Sequence, residues 1–409
     1  MNSYLDCGRY CAVALVLVTG PGASAAADDW PQWRGPNRNG ISAEADWDSE
    51  GREDSVWAAE VGMGYSSVTV VDGKLFTMGY DKTSELDVVH CLDANTGEAL
   101  WSHAYPSKIW NQYHTGGTLT TPIVDGGRVY TLNREAQFFC LDADTGNVIW
   151  DRPLMEEFEG LESPIWGFSA SPLILEKMVI LNVGRVIALD KKSGRVLWES
   201  ADYGHAYGTP LPIEIGGKPN LAVFNGKGLV ILNMRDGEPQ GLHEWKTEYD
   251  VNAASPVLVG IDKLFISSGY NKGCALVKLT TGGLEVVWET KAMRSHMSGV
   301  VLWEDNLYGF DESDLTCLGL DGKKRWSVRD YDNGALMVAD GRLLIVNSEG
   351  ELIVADASPE EYSELSKAGV FESKERVVYW TTPVLVDGRV YCRSSMGDLI
   401  CRDHRKIGG

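Results

Sequence analysis

With 409 residues, 58 Asp and Glu against 37 Lys and Arg, and a formal net charge of -21, the chain repels phosphate backbones, so no nucleic-acid partner is expected. Apolar residues make up 44% of it, enough for a packed core, yet no run approaches the ~20 apolar residues of a bilayer-crossing helix. The chain is therefore expected not to span a membrane.

Residues 1–27 read as a cleaved signal peptide: one positive charge, Arg9, an apolar run Cys11 to Val18, and small residues Ala23-Ser24-Ala25-Ala26-Ala27 before Asp28. A lipid-anchored signal places Cys directly after the apolar run, where this sequence has Thr19-Gly20-Pro21-Gly22. A free periplasmic or secreted product, starting near Ala26 to Asp28, is expected. Residues 28–53 form an N-terminal strap, whose segment Trp30-Pro31-Gln32-Trp33-Arg34-Gly35-Pro36 is expected to dock on the body of the protein rather than form a cofactor box.

Over residues 54–403 a repeat takes over. CLDANTGEALW (Cys91 to Trp101), CLDADTGNVIW (Cys140 to Trp150) and ALDKKSGRVLW (Ala188 to Trp198) align without gaps, and weaker copies end at Trp245, Trp288 and Trp326. Upstream of each lies a two-strand phrase such as TTPIVDGGRVYTL from Thr120 or TTPVLVDGRVYCR from Thr381, with β-branched and aromatic runs around a tight turn. The repeat tryptophans, Trp57, Trp101, Trp150, Trp198, Trp245, Trp288 and Trp326, recur about every 40–50 residues, the length of a four-stranded propeller blade. First strands start near Val68, Pro122, Pro172, Pro210, Pro256, Val300, Met337 and Pro383. The predicted fold class is all-β: an eight-bladed β-propeller of four-stranded antiparallel blades.

The last unit runs out at Asp403, before a tail at 404–409, so the orphan strand around Val56-Trp57-Ala58 is expected to complete the last blade and remove its open edge. In unit seven, Ser358-Pro359-Glu360-Glu361 carries a helix-start signature and predicts a short helix over about 359–368, stopped by Gly369.

The Leu-Asp-Ala-x-Thr-Gly-x-x-x-Trp units resemble the pyrroloquinoline quinone (PQQ) repeat family, and the chain from about Trp57 to Asp403 looks like its non-dehydrogenase, BamB-like branch. The opening DWPQWRGPNRNG (Asp29 to Gly40) is similar to the start of exported bacterial PQQ-like repeat proteins. The resemblance implies a non-catalytic, monomeric scaffold that recognises a protein, peptide or glycan through one face. A second reading is a PQQ-dependent alcohol or sugar dehydrogenase. Dehydrogenases of the superfamily hold the quinone over a Trp, under a disulfide of adjacent cysteines, beside Ca²⁺ liganded by Glu, Asn and Asp. This chain has no Cys-Cys pair. PQQ with Ca²⁺ is disfavoured, and no other cofactor is expected.

Asp93, Asp142 and Asp190 sit in repeat turns, where an Asp side chain bonds its own backbone. Asp142-x-Asp144 faintly resembles a calcium loop, but its twelfth position is Pro153 and not a chelating Glu. No His, Cys and Asp spacing fits zinc, and no metal site is predicted. Cys91, Cys140, Cys317 and Cys401 precede the repeat's Leu-Asp or Leu-Gly, as buried small side chains would. A two-residue turn at Met396-Gly397 would pair Cys392 with Cys401, the one disulfide candidate.

Small residues Ser66, Thr120, Ala170, Gly208, Ala254, Ser298, Ala335 and Thr381 mark where eight strands converge on one axis. On the loops just upstream sit Tyr65, His114, Trp166, Phe168, His205, Tyr207, Asn252, Arg294, His296, Asn333, Tyr379 and Trp380. These would ring one mouth of the channel, as a ligand site or as a plug of packed aromatics. A third functional reading, a hydrolase or lyase, would use the His and Tyr of this set. No catalytic residue is assigned.

Overall fold

Short strands joined by tight turns dominate the chain, and the computed structural model arranges them as eight four-stranded antiparallel blades, one of which gains Ile41–Ser42 as a fifth, parallel strand. It describes residues 29–52, 54–111, 114–329, 331–372 and 376–406; the expected signal peptide and the end of the tail lie outside these. Blade one runs outward from Thr69–Val71 through Lys74–Asp81 and Leu86–Asp93 to Ala99–Pro106. Blades two to seven repeat this order along the chain. Blade eight takes Val384–Val386, Arg389–Arg393 and Asp398–Asp403 from the C-terminal end and its outermost strand, Ser55–Glu60, from the N-terminal end. The ring is thus closed by the expected N-terminal strand, with Trp57 opposite Cys401.

The repeat motif works as an interlock between blades. Each repeat Trp projects onto the turn of the next blade: the indole N–H of Trp57 donates to the Ala94 carbonyl (3.1 Å), Trp101 to Ala143 (3.0 Å) and Trp288 to Leu320 (2.8 Å). The turn glycine lies flat under the ring, so a Cβ at Gly97 would stand 2.6 Å from Trp57 and one at Gly146 2.5 Å from Trp101. The turn Asp holds this receptor in shape, Asp93 Oδ1 accepting from the N–H of Asn95 (2.8 Å) and Thr96 (2.9 Å). Asp142 and Asp190 do the same, which is the predicted turn role. Behind five of the repeat tryptophans the facing strand carries a small residue, Cys401 opposite Trp57, Cys91 opposite Trp101, Cys140 opposite Trp150, Ala188 opposite Trp198 and Cys317 opposite Trp326, whereas Leu276 stands opposite Trp288. Each buried indole face contributes roughly 1.5–3 kcal/mol.

Three expectations are corrected. Trp245 is not a repeat tryptophan in register. The position opposite Ile231, two before the turn, is Gly241, against which Leu284 packs. Trp245 lies beyond the strand Pro239–Glu244, buried, donating to Ser268 Oγ (3.1 Å) under the Lys272 ammonium (4.1 Å from the ring centre). The helix at 359–368 does not form. Glu364–Gly369 is the outer strand of blade seven, because an open edge on the strand Glu351–Asp356 outweighs a local capping signal. The Ser358 cap survives as a turn, with its backbone N–H donor at Glu360 (3.3 Å).

Third, Cys392 faces Ile400 while Cys401 faces Tyr391, which puts the two sulfurs on opposite faces of the blade. The hairpin has a three-residue loop closed by Ser394 N–H to the Asp398 carbonyl (2.9 Å), with Gly397 at φ 104°, so the register differs by one from a two-residue turn. All six cysteines among the described residues are buried free thiols.

Candidate functional site

The strand starts at the axis build the site. Ser66, Thr120, Ala170, Ala254 and Thr381 are buried between blades, as small residues must be there. Strand alternation turns the next residue toward the axis. In five successive blades that residue is a hydroxyl: Ser67, Thr121, Ser171, Thr209 and Ser255. They form a relay from blade to blade, each backbone N–H donating to the next hydroxyl oxygen: Ser67 to Thr121 (3.0 Å), Thr121 to Ser171 (2.9 Å), Ser171 to Thr209 (3.0 Å) and Thr209 to Ser255 (3.2 Å). Ser67 Oγ donates to the Thr382 carbonyl (3.1 Å) across the closure.

Around this ring lies an axial cavity of about 610 Å³. Thr121, Ser171, Thr209 and Ser255 line it, and above them stand the loop aromatics. Tyr65 stacks on Trp380 (5.4 Å, 20°) and meets His114 edge-on (5.4 Å). Trp166 meets Tyr207 edge-on (6.0 Å), and Tyr270 stands between Tyr249 (5.0 Å) and His296 (4.4 Å).

The strap lies across the opposite end. Trp30 bridges Val70, the Val124 N–H donates to the Pro31 carbonyl (2.9 Å), and Ile41–Ser42 pairs in parallel with the first strand of blade seven. These contacts hold Trp33 at the base, where it lines both the cavity and a small crevice on the far side. Arg34 pins the strap by donating to the carbonyls of Val300 (2.6 Å), Asn39 (3.0 Å) and Arg38 (3.3 Å). No carboxylate pairs with it among the described residues, and burial lowers its pKa to about 10.

Of the expected mouth residues, Tyr65, His114, Trp166, Tyr207, His296 and Trp380 line the cavity. The others do other work. Phe168 packs in the core between blades two and three. Asn252 is buried, donating to the carbonyls of Asn225 (2.7 Å) and Trp245 (3.1 Å) and accepting from Ser268 Oγ (2.6 Å). Arg294 is engaged by Asp311 (2.6 Å) and Glu312 (3.2 Å). Tyr379 stacks on Phe371 (5.0 Å), Asn333 occupies a turn at φ 61°, and His205 sits behind Tyr207 (6.4 Å). The relay hydroxyls, Trp33, Tyr249 and Tyr270 were not anticipated. The repeated Ser-Pro and Thr-Pro dipeptides at 121, 171, 209, 255 and 382 were their signal.

No Asp, Glu, Lys or Arg lines the cavity among the described residues. Burial lowers the pKa of His114 to about 4 and lowers that of His296, so both rings are neutral near pH 7. His114 Nδ1 accepts the Gly116 N–H (2.9 Å), which leaves its other nitrogen as the proton carrier. No group of three or more His, Cys, Asp and Glu could hold a metal ion among the described residues, and no helix there is long and apolar enough to cross a membrane.

The family described as outer membrane protein assembly factor BamB matches residues 85–328. BamB of Burkholderia pseudomallei is 27% identical over 241 residues, covering 54% of this chain and 55% of that protein, so the chain spans about half the length of that relative. The BamB structure from Moraxella catarrhalis superposes with a TM-score of 0.61 at 16% identity, over 87% of this chain and 99% of the other. Quinohemoprotein alcohol dehydrogenase from Comamonas testosteroni superposes with a TM-score of 0.69 at 11% identity, over 93% and 82%. At these identities the structural likenesses speak for the fold alone. The profile match and the interlocked repeats together show that the chain belongs to the BamB-type family of PQQ-like repeat propellers.

Proposed function

We propose that this protein is a non-catalytic binding or scaffold propeller of the periplasm or an equivalent extracytoplasmic space, engaging a protein, peptide or glycan partner through its channel mouth. The observation that carries this reading is the axial cavity, lined by aromatic rings and hydroxyls, with Trp33 of the strap between it and a small crevice beyond. Convergent polar groups on loops over an apolar wall suit recognition. General acid–base or nucleophilic catalysis needs a reactive group beside a partner that activates it. Here no carboxylate among the described lining residues stands beside either imidazole to orient or activate it.

The dehydrogenase likeness prompts a test of fit for a quinone with calcium. PQQ carries carboxylates, and its Ca²⁺ takes oxygen ligands from carboxylates and amides. The described lining offers no carboxylate, no side-chain amide and no cationic group to such a pair, so the residues present do not fit it. The experiment is a dye-reduction assay of the mature chain with added PQQ and Ca²⁺ against primary alcohols and aldoses. The proposal expects no quinone-dependent turnover; turnover that follows both additions overturns it.

A further inference from the structure

We infer that the axial cavity takes an uncharged saccharide of about two to three rings, seated on Trp33 and gripped by the hydroxyl relay; this rests on the binding reading above. Four observations converge. In the relay each of Thr121, Ser171, Thr209 and Ser255 accepts a backbone N–H from the blade before, and its hydroxyl proton has no acceptor among the described residues. These are pre-oriented groups that can donate one bond inward and accept another. An aliphatic or lipid ligand that displaced water from the cavity would leave them unpaired, at a cost of roughly 1–3 kcal/mol each.

An ionic ligand fails for the opposite reason. In a chain of net charge -21 the described lining carries no charged side chain, so a carboxylate or phosphate would be desolvated without a counter-charge. The walls are rings: Trp33 at the base, the Tyr65 and Trp380 stack on one side, and Tyr249 and Tyr270 on another. A pyranose presents apolar C–H faces to such rings and a rim of hydroxyls to the relay, which satisfies both surfaces at once. The volume of about 610 Å³ is that of a site enclosing a ligand of a few rings. A peptide backbone could pair with the same hydroxyls but offers the aromatic walls no stack of C–H ring faces.

The test is calorimetric titration of the full mature chain with maltotriose, cellotriose and N,N′,N″-triacetylchitotriose. Trigalacturonic acid and N-acetyl-trialanine amide serve as contrasts. At least one neutral trisaccharide is expected to bind one to one, at least tenfold tighter than either contrast. Thr209→Val, which deletes one relay hydroxyl, and Trp380→Ala, on a loop, should each weaken it about tenfold. If Thr209→Val melts early because the Ser171 N–H loses its acceptor, Trp380→Ala alone decides. Failure of all three sugars, or binding indifferent to Trp380→Ala, overturns the inference. Tighter binding of the peptide amide also overturns it while leaving the binding-propeller reading intact, and quinone-dependent turnover would instead remove that reading.

Discussion

Trp57 and Cys401 stand directly opposite each other in blade eight, so a strand from the N-terminal end completes the last sheet. The Trp57 indole reaches onward to Ala94 in blade one, and Tyr391 Oη donates to the same carbonyl (3.1 Å). One side chain therefore couples the closing strand, the C-terminal blade and the first turn. Removing residues 1–60 should expose the edge of Asp398–Asp403 and lower the melting temperature sharply or cause aggregation, whereas removing 1–27 should do neither. Trp57→Ala should cost about 3–5 kcal/mol in denaturant unfolding.

The interlock can be separated from backbone strain with two glycines. Gly73 and Gly97 both have φ +73°, but a Cβ at Gly73 meets nothing within 4 Å while one at Gly97 meets the Trp57 ring at 2.6 Å. Gly73→Ala should cost about 1 kcal/mol, the left-handed penalty alone. Gly97→Ala should cost at least about 2 kcal/mol more, because it lifts the indole off its turn. Equal losses in urea unfolding would mean that the Trp contact contributes little.

Asp87 sets a pH dependence. It is fully buried, Oδ2 accepts from Asn133 Nδ2 (3.1 Å), and Oδ1 has no partner among the described residues. Burial raises its pKa from 3.8 to about 6, against the opposing bond from Asn133. The folded state holds the proton more tightly than the unfolded chain, so this stabilisation is complete below about pH 4 and is lost as pH rises through 6. About two pKa units correspond to about 3 kcal/mol. Asp87→Asn should flatten that slope and raise stability at pH 7, as read from unfolding at pH 4, 5, 6 and 7.

The thiols should be inert. Burial pushes Cys392 and Cys401 up to about 12 and Cys140 up to about 11, so little thiolate forms at pH 8. Iodoacetamide should label none of the six until denaturant is added, and non-reduced mass spectrometry should find no bridge. A Cys392–Cys401 disulfide would contradict the register found in blade eight.

Blade number, strand order and closure were legible because the interlock demands fixed residue types at fixed spacing: a turn Asp, a glycine that lies under a ring, and a Trp. Where the sequence kept a Trp but shifted it by four residues, as Trp245 against Gly241, spacing alone could not show which side chain faced the turn. The capping signal at Ser358 was read locally, but an unpaired strand edge is a tertiary fact that no local window contains. At the mouth the aromatic loop residues were legible by type, yet orientation separated them: Arg294 turns to Asp311 and Asn252 to backbone carbonyls, while His114 and His296 turn inward. Trp33 lay far from the repeats in sequence, and its place at the channel base follows only from the strap's pairing with Val70 and blade seven.

The most direct test of the cavity as the binding site is ligand-induced thermal stabilisation, compared between residues that line it and neighbours that do not. Native-state binding raises the melting temperature by mass action. Any sugar, peptide or small molecule that stabilises the wild-type chain should lose its effect in Trp166→Ala, His296→Ala and Trp380→Ala. The effect should persist in His205→Ala and Arg294→Ala, whose side chains lie outside the lining. The reverse pattern, or a response retained in all five folded variants, would contradict the axial site and move recognition to the outer surface of the blades.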